Sequence, residues 1–491
     1  MALIKRRADA LLKPAQAVKL SINVGCLLDI PTGKYYRGIH GESILNGGLA
    51  HFTGMAGKPN NFKSTIMHYE VAVAQYRIAT SFINSYDSEM TMNEQRLIDV
   101  ANNVRRLHWD SPTDVVLEGE WSKTDKSVYN GNKWFDTVRT HCKDKVEKSN
   151  DWLVKTPFVD RDGKPLMSLL PTFQQCDSLS DLSTDGVERM QDNAEIGESG
   201  QNTVAMKLSQ HKTQMLMELP ALAAGSNTYF YVTAHVGDVI QIDPGKPVAK
   251  VLADLPQGTK LKNVPNKFLY QPNTLWYAKN TKTLINQGTK EPEFPRDEND
   301  DKRGDTDLRL ISLSNIRNKE GITGFELQII VSQTLGVLPS LTEFYYLKES
   351  NRFGLVGSVQ NYAFCLLPDV KMTRKTVRQV LNTNRRAQRA ANILAELCQM
   401  QEYWFHLEKV MIKPEELYEK VAMAGYDWDM ILSKTRGWWA LEEDDRPIGL
   451  FLSTMDLIHM ANGSYHPYWL EEDKKTIKAE YKHLVPVLGG F

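Results

Sequence analysis

Residues 49–65 read LAHFTGMAGKPNNFKST. An apolar strand runs into a glycine-bearing loop, the loop closes on Lys63-Ser64, and apolar residues then recur at helical spacing (Ile66, Met67, Tyr69, Val71, Val73). Strand, loop and helix in that order are the setting of a phosphate-binding loop. Its backbone N–H groups and the partial positive charge of the helix N-terminus face an oxyanion. On that reading Gly57, Asn61, Phe62 and Thr65 line a nucleotide's phosphates. Lys63 reaches the β- and γ-phosphates, and Ser64 holds Mg²⁺. Phe62 stands where the generic pattern has its second glycine.

Polar strand ends follow that loop. The run from Ile78 to Asn84 ends in Ser85-Tyr86-Asp87-Ser88-Glu89, the run from Leu166 ends at Asp177, and Thr228–Ala234 ends at His235. Each suits a task in nucleotide hydrolysis. Asp177 would complete the Mg²⁺ shell through water. Glu89 would orient the attacking water as general base. His235, leading into a long loop, would report whether a γ-phosphate is present. The plainer readings are a turn or N-cap role for Asp177 and a structural role for His235; the order of the residues behind the loop favours function.

These residues need strands to carry them. The pattern predicts a strand over Leu49–Thr53, a helix over Ser64–Arg77, strands ending at Glu89, Asp177 and His235, a helix over Val204–Leu222, and strands at Thr274–Tyr277, Leu308–Leu313 and Phe325–Val331. The segment 95–165 reads as polar and helical in parts (Lys133–Lys148), with a turn at Asp160–Gly163. From about residue 370 the pattern is helical to the end. Strands alternating with helices predict an α/β fold with a mostly parallel sheet flanked by helices, carrying its site at the carboxyl ends of the strands. The domain reading is an N-terminal helix and lead-in segment over 1–48, an ATPase core over 49–360 and a helical C-terminal domain over 361–491.

The composition excludes several classes. The chain has 491 residues, 42% hydrophobic and 24% charged, with net charge −1, so a polyanion partner would have to meet a local basic patch. The five cysteines are widely spaced with no CxxC, which argues against a disulfide framework or a structural zinc. No apolar run approaches membrane-spanning length, and the basic N-terminus lacks the apolar core of a signal peptide. The expected location is cytoplasmic, the host cytoplasm if the source is viral, with no membrane partner. The most basic run is Lys371, Arg374, Lys375, Arg378, Arg385, Arg386 and Arg389. It reads either as a surface gathering duplex DNA or as a solvated helix face. Trp404, Trp438, Trp439 and Trp469 read as core.

Taken together, Gly57…Phe62-Lys63-Ser64, Tyr86-Asp87-Ser88-Glu89, Asp177-Ser178-Leu179 and Thr233-Ala234-His235 resemble the RecA-fold recombinases, most of all the phage type, in which the F-K-S ending also occurs. The resemblance runs from about residue 20 to 350. It implies a RecA-like P-loop ATPase core, with ATP and Mg²⁺ as cofactors, and a DNA-dependent ATPase. Such a protein self-associates into a helical filament on single-stranded DNA and pairs it with duplex DNA in recombination and repair. A recombination mediator and a single-strand-binding protein are the further partners it implies. Ser314-Asn-Ile-Arg317-Asn318-Lys319 resembles the family's basic element that reaches across the subunit interface, which gives Arg317 and Lys319 a catalytic role at a neighbour's nucleotide. The family's two DNA loops fall at about 181–203 and 236–267. The first is acidic here, which phosphates oppose. The second carries Lys246, Lys250, Lys260, Lys262 and Lys267, with Phe268 and Tyr270 beyond, a mixture suited to single strands.

Two other readings share the motifs. A hexameric replicative helicase uses the same fold, usually behind an N-terminal domain, and about 48 residues precede the core here. A non-enzymatic protein on a decayed ATPase scaffold would account for the acidic first loop and a phosphate loop longer than the phage-type one. Intact Lys63, Ser64, Glu89 and Asp177 weigh against it.

Overall fold

A computed structural model describes residues 19–184, 201–238, 255–256, 258–296, 307–358, 360–441 and 445–486. The basic helix expected before residue 19, most of the acidic loop 181–203, and Lys246 and Lys250 lie outside these residues.

The chain builds a ten-stranded sheet. Its strands are β1 (Phe52–Gly57), β2 (Ile83–Asp87), β3 (Trp121–Asp125), β4 (Thr172–Asp177), β5 (Thr228–Asp238), β6 (Thr259–Leu261), β7 (Thr274–Thr283), β8 (Leu308–Asn318), β9 (Glu326–Ser332) and β10 (Gly336–Val337). The spatial order is β10-β9-β8-β7-β1-β5-β4-β2-β3, with β6 beside the end of β5. From β7 to β3 every pairing is parallel, whereas β8, β9 and β10 extend the β7 side antiparallel.

Helices α1 (Lys63–Arg77), α2 (Glu94–Leu107), α3 (Gly131–Glu147) and α4 (Gln201–Ser226) are the crossovers. Strand pleating sorts the core between the two faces. On β5, Tyr229 and Tyr231 join the α1/α2 side with Val71, Leu97 and Val104. Phe230, Val232 and Ala234 join the α3/α4 side with Trp134 and Leu216. The buried strands therefore read as continuous apolar runs. The expected α/β class with a mostly parallel, helix-flanked sheet is the architecture observed.

Some elements differ from expectation. The segment read as polar and helical in parts also contains β3 and an antiparallel hairpin, Leu153–Val159 with Pro165–Leu169, around the Asp160–Gly163 turn. As the edge strand, β3 buries only Trp121 among its residues, so it carries no apolar periodicity. The C-terminal region is not helical throughout. It holds α6 (Val377–Thr383), α7 (Arg385–Tyr403), α8 (Pro414–Met423), α9 (Trp428–Lys434) and α10 (Thr454–Ala461), following α5 (Pro339–Glu349). It also holds strand Leu367–Met372 of a three-stranded sheet and a parallel pair, Thr435–Arg436 with Leu450–Phe451. Past Ala461 the chain turns at Gly463 (φ +69) and runs through Pro467, signals that stop a helix; among the described residues only a 3₁₀ turn, Ala479–Leu484, follows.

The C-terminal region packs on the lead-in segment. Gln399 Nε2 donates to the Leu27 carbonyl at 3.0 Å, Ser43 N donates to Asp456 Oδ1 at 2.8 Å, and Trp439 Nε1 donates to the Ser21 carbonyl at 3.3 Å. Trp438, Trp439 and Trp469 are buried. This folding back changes the reading of the basic run. Arg374 pairs with Glu291 at 2.9 Å, Arg378 with Asp307 at 2.8 Å, and Arg386 with Asp369 and Asp429 at 3.1 and 2.7 Å. Arg389 is buried and bonded to Thr435, Asn392 and the Leu452 carbonyl. Carboxylates meet Arg374, Arg378 and Arg386 while uncharged partners hold Arg389, so the run is neither a solvated helix face nor a continuous basic surface; Lys371 and Lys375 remain exposed.

Candidate functional site

The parallel strands bring their carboxyl ends to one edge of the sheet. Register aligns them: Gly57 lies opposite His235 on β5 and Ala278 on β7, and Asp87 opposite Asp177 on β4. An open cleft of about 700 Å³ lies at this edge, lined by residues including Phe62, Lys63, Ser64, Thr65, Glu89, Asp177 and His235. Residues far apart in sequence thus meet where open α/β sheets bind ligands.

The loop after β1 is closely packed. A Cβ on Gly57 would stand 2.9 Å from Ala278 Cβ and 3.2 Å from Lys63 Cδ, so glycine admits both β7 and the lysine stem. Asn61 Nδ2 donates to the Ala278 carbonyl at 2.9 Å, and Thr281 Oγ1 donates to Asn61 Oδ1 at 3.3 Å, which ties the loop to β7. Asn60 and Phe62 have φ of +63° and +54°. For a non-glycine residue that conformation costs about 1–2 kcal/mol, and such residues cluster at ligand sites. Phe62 immediately precedes α1, and its ring packs against the core on that face.

Lys63 is buried, and its ammonium donates to the Lys58 carbonyl at 3.0 Å, within its own loop. Burial lowers its pKa, while Asp177 and Glu89 act in the opposite direction. Asp177 accepts from the Thr233 hydroxyl through Oδ1, and its Oδ2 has no hydrogen bond among the described residues. Ser64, in the first turn of α1, likewise has no side-chain hydrogen bond among them. A hydroxyl and a carboxylate oxygen, both lining the cleft, form a donor set suited to Mg²⁺.

Glu89 Oε1 accepts from His235 Nε2 at 2.6 Å. A carboxylate only accepts, so Nε2 carries the hydrogen. His235 Nδ1 is buried without a partner among the described residues. The bond from His235 holds the Glu89 carboxyl below the ordinary carboxylate range, against the effect of burial. Asp181 lies 3.6 Å from the same nitrogen. Ligand atoms of Glu89, Asp181 and His235 all lie within 4.8 Å of one another, spacing that a metal ion would also accept.

Several positioning residues escaped the sequence reading. Asp87 accepts from the Glu89 and Met92 N–H groups at 3.0 and 2.6 Å, which shapes the turn that presents Glu89. Ser88 Oγ donates to the Ser178 carbonyl at 2.6 Å and accepts from Ser178 N at 2.8 Å, clamping the ends of β2 and β4 together. Arg309, near the start of β8, lines the cleft with Thr91, Thr281 and Gln333. Its signal in sequence was only a cation on a strand.

Arg317 and Lys319 lie elsewhere. Arg317 pairs with Leu275 and bonds to the Pro272 carbonyl, beside the start of β7, whereas Arg309 pairs with Thr283 at its end. At about 3.3 Å per residue, the strand length from Arg309 to Arg317 is roughly 26 Å. Within one chain these two residues are therefore not brought to the cleft.

Of the proposed DNA-binding lysines, Lys260, Lys262 and Lys267 are exposed. β6 pairs antiparallel with the end of β5, with Lys260 opposite Gly237, and Lys262 N donates to the His235 carbonyl at 2.9 Å. The ring expected to stack on bases at Phe268 is instead fully buried in the core, while Tyr270 is exposed. Lys212 anchors this hairpin from below, donating to the Ser180 and Asn263 carbonyls at 3.1 and 3.0 Å. Burial pushes its ammonium down to about 8.

The described residues contain no helix long and apolar enough to cross a membrane. The chain matches no protein-family model and no curated protein.

Proposed function

We propose that this protein is a DNA-dependent ATPase of the RecA-like, P-loop kind, acting as a recombinase that forms filaments on single-stranded DNA. The observation that supports this reading most directly is the convergence of Lys63, Ser64, Glu89, Asp177 and His235 on one cleft.

In this reading the loop N–H groups and the α1 N-terminus take the β- and γ-phosphates of ATP. Lys63 exchanges the Lys58 carbonyl for phosphate oxygen, and Ser64 with Asp177 would hold Mg²⁺, which would draw charge from the phosphates. Glu89 accepts a proton from the attacking water as the water's oxygen bonds to the γ-phosphorus. The bond to the ADP oxygen breaks, giving ADP and phosphate. The His235 contact governs this step. While His235 donates to Glu89, the base is weakened and partly occupied; a γ-phosphate that draws the imidazole away frees the carboxylate. β5 runs on from His235 towards β6, so the same shift reaches Lys260 and Lys262, which would contact the phosphates of a single strand together with Lys267.

Arg317 and Lys319 take their part from a neighbour. The cleft and the Arg317/Lys319 end lie at opposite edges of the sheet. Head-to-tail stacking would set one copy's basic pair against the next copy's nucleotide. A repeated heterologous contact of that kind builds an open helix unless it closes into a ring.

Negative-stain electron microscopy with single-stranded DNA and a slowly hydrolysed ATP analogue tests this. Long helical filaments are expected, shortened or lost in Arg317→Ala/Lys319→Ala. Closed rings would indicate the helicase reading, and particles that never assemble would contradict both.

A further inference from the structure

A second cavity, of about 140 Å³, lies between the last turn of α1, the segment following α2 and the start of α7. Arg77, the last residue of α1, is 6% exposed and forms part of its wall. Among the described residues its Nε and Nη1 have no hydrogen bond, and its nearest carboxylate oxygen, Asp29 Oδ2, stands 3.9 Å from Nη1. Arg385, the first residue of α7, also lines the cavity, and its Nε is likewise buried without a partner. Buried guanidinium N–H groups left unbonded are costly. Three such nitrogens on two arginines of one cavity indicate that an acceptor belongs there.

The charges around the cavity indicate which kind. Arg77, Arg385, Arg389 and Arg436 line it against Asp29, Glu343 and Glu396. The carboxylates are already engaged: Asp29 by the Val24 and Gly25 N–H groups, Glu343 by Asn392, and Glu396 by Asn392 and Thr454. Burial pushes Glu343 up to about 8, which leaves it mostly neutral at pH 7 and the lining in positive excess. His108, facing Arg77, Arg385, Arg446 and Arg436, is held well below its usual range by burial and by these cations, so it adds no charge. The N-terminus of the 19-residue helix α7 adds its partial positive charge on the same side. Arg77 and Arg436 lie over the Trp438 ring at 4.7 and 4.5 Å, and Arg385 lies over the Trp109 ring at 5.5 Å. His108, Trp109 and Arg385 are only partly buried and form the cavity's mouth.

We infer that this cavity is a binding site for one small oxyanion of the phosphate class, either free phosphate or the phosphate of a small monoester, held by Arg77 and Arg385 where the sheet domain meets the C-terminal helices. The unpartnered guanidinium N–H groups supply donors to such an anion. The site needs no part of the nucleotide cleft.

Calorimetric titration of the full chain tests this, with inorganic phosphate and then ribose 5-phosphate as probes. Lys63→Ala serves as the background, so that phosphate binding at the nucleotide cleft does not contribute. One-to-one saturable binding is expected, weakened at least tenfold by adding Arg385→Gln or Arg77→Gln. The tighter of the two probes identifies the source of the anion. Arg385 is partly exposed, so its variant decides the matter if Arg77→Gln fails to fold. Absence of saturable binding to Lys63→Ala, or undiminished binding in a folded Arg385→Gln, would overturn the proposal.

Discussion

At the residue scale, the proposed hydrolysis rests on a few contacts that residue types announced and others that only the fold makes. Lys63, Ser64, Glu89, Asp177 and His235 were legible because each ends a recognisable strand or opens a helix. The Glu89–His235 bond was not legible, since it joins residues 146 positions apart through the register of β2, β4 and β5. That bond has a measurable consequence. Glu89 must be ionised to act as base, and His235 lowers its pKa. The acidic limb of the kcat/KM profile for ATP, which reports the free enzyme before a γ-phosphate draws His235 away, should therefore lie below the ordinary carboxylate range. In His235→Ala it should move to higher pH, because the unassisted carboxyl takes up its proton sooner on acidification. An unmoved limb would separate His235 from the base.

At the scale of elements, most of the parallel strands and their crossovers followed from apolar runs and helical patterns, but their boundaries moved: β1 is Phe52–Gly57 where Leu49–Thr53 was expected, and β8 runs on to Asn318 where an end at Leu313 was expected. What the pattern concealed were pieces stabilised by neighbours rather than by their own sequence. β3 is polar but for Trp121, and the strands of the C-terminal region are short enough to be masked by flanking helices. The Ser88–Ser178 clamp belongs to this scale, since it closes β2 onto β4 and sets Glu89 relative to Asp177. Ser88→Ala should destabilise the protein by about 2 kcal/mol in chemical denaturation, because Ser178 N–H loses the hydroxyl it donates to in a buried place. It should also lower turnover more than nucleotide affinity. Equal stability in the variant would mean that water replaces the hydroxyl there.

At the scale of the whole molecule, a basic run that looked like a surface proved to be internal fastening. Sequence shows the cations but not the carboxylates that another segment brings to them. The buried pair Arg378–Asp307 joins α6 to the start of β8, where Asp307 also accepts from Ser332. Arg378→Met should cost about 3 kcal/mol of stability in thermal or denaturant unfolding, since it leaves Asp307 buried with its main counter-charge gone. A variant as stable as the parent would show that the carboxylate finds other partners. The same folding back creates the arginine-lined cavity. The account as a whole depends on the cleft hydrolysing ATP in response to DNA. Steady-state ATP hydrolysis should therefore be measured with and without single-stranded DNA for the parent protein, Lys63→Ala and Glu89→Gln. The account predicts a DNA-stimulated rate that Lys63→Ala abolishes and that Glu89→Gln lowers by about 10²–10⁴-fold while nucleotide still binds. A parent protein with no hydrolysis, or a rate indifferent to both substitutions, would contradict it.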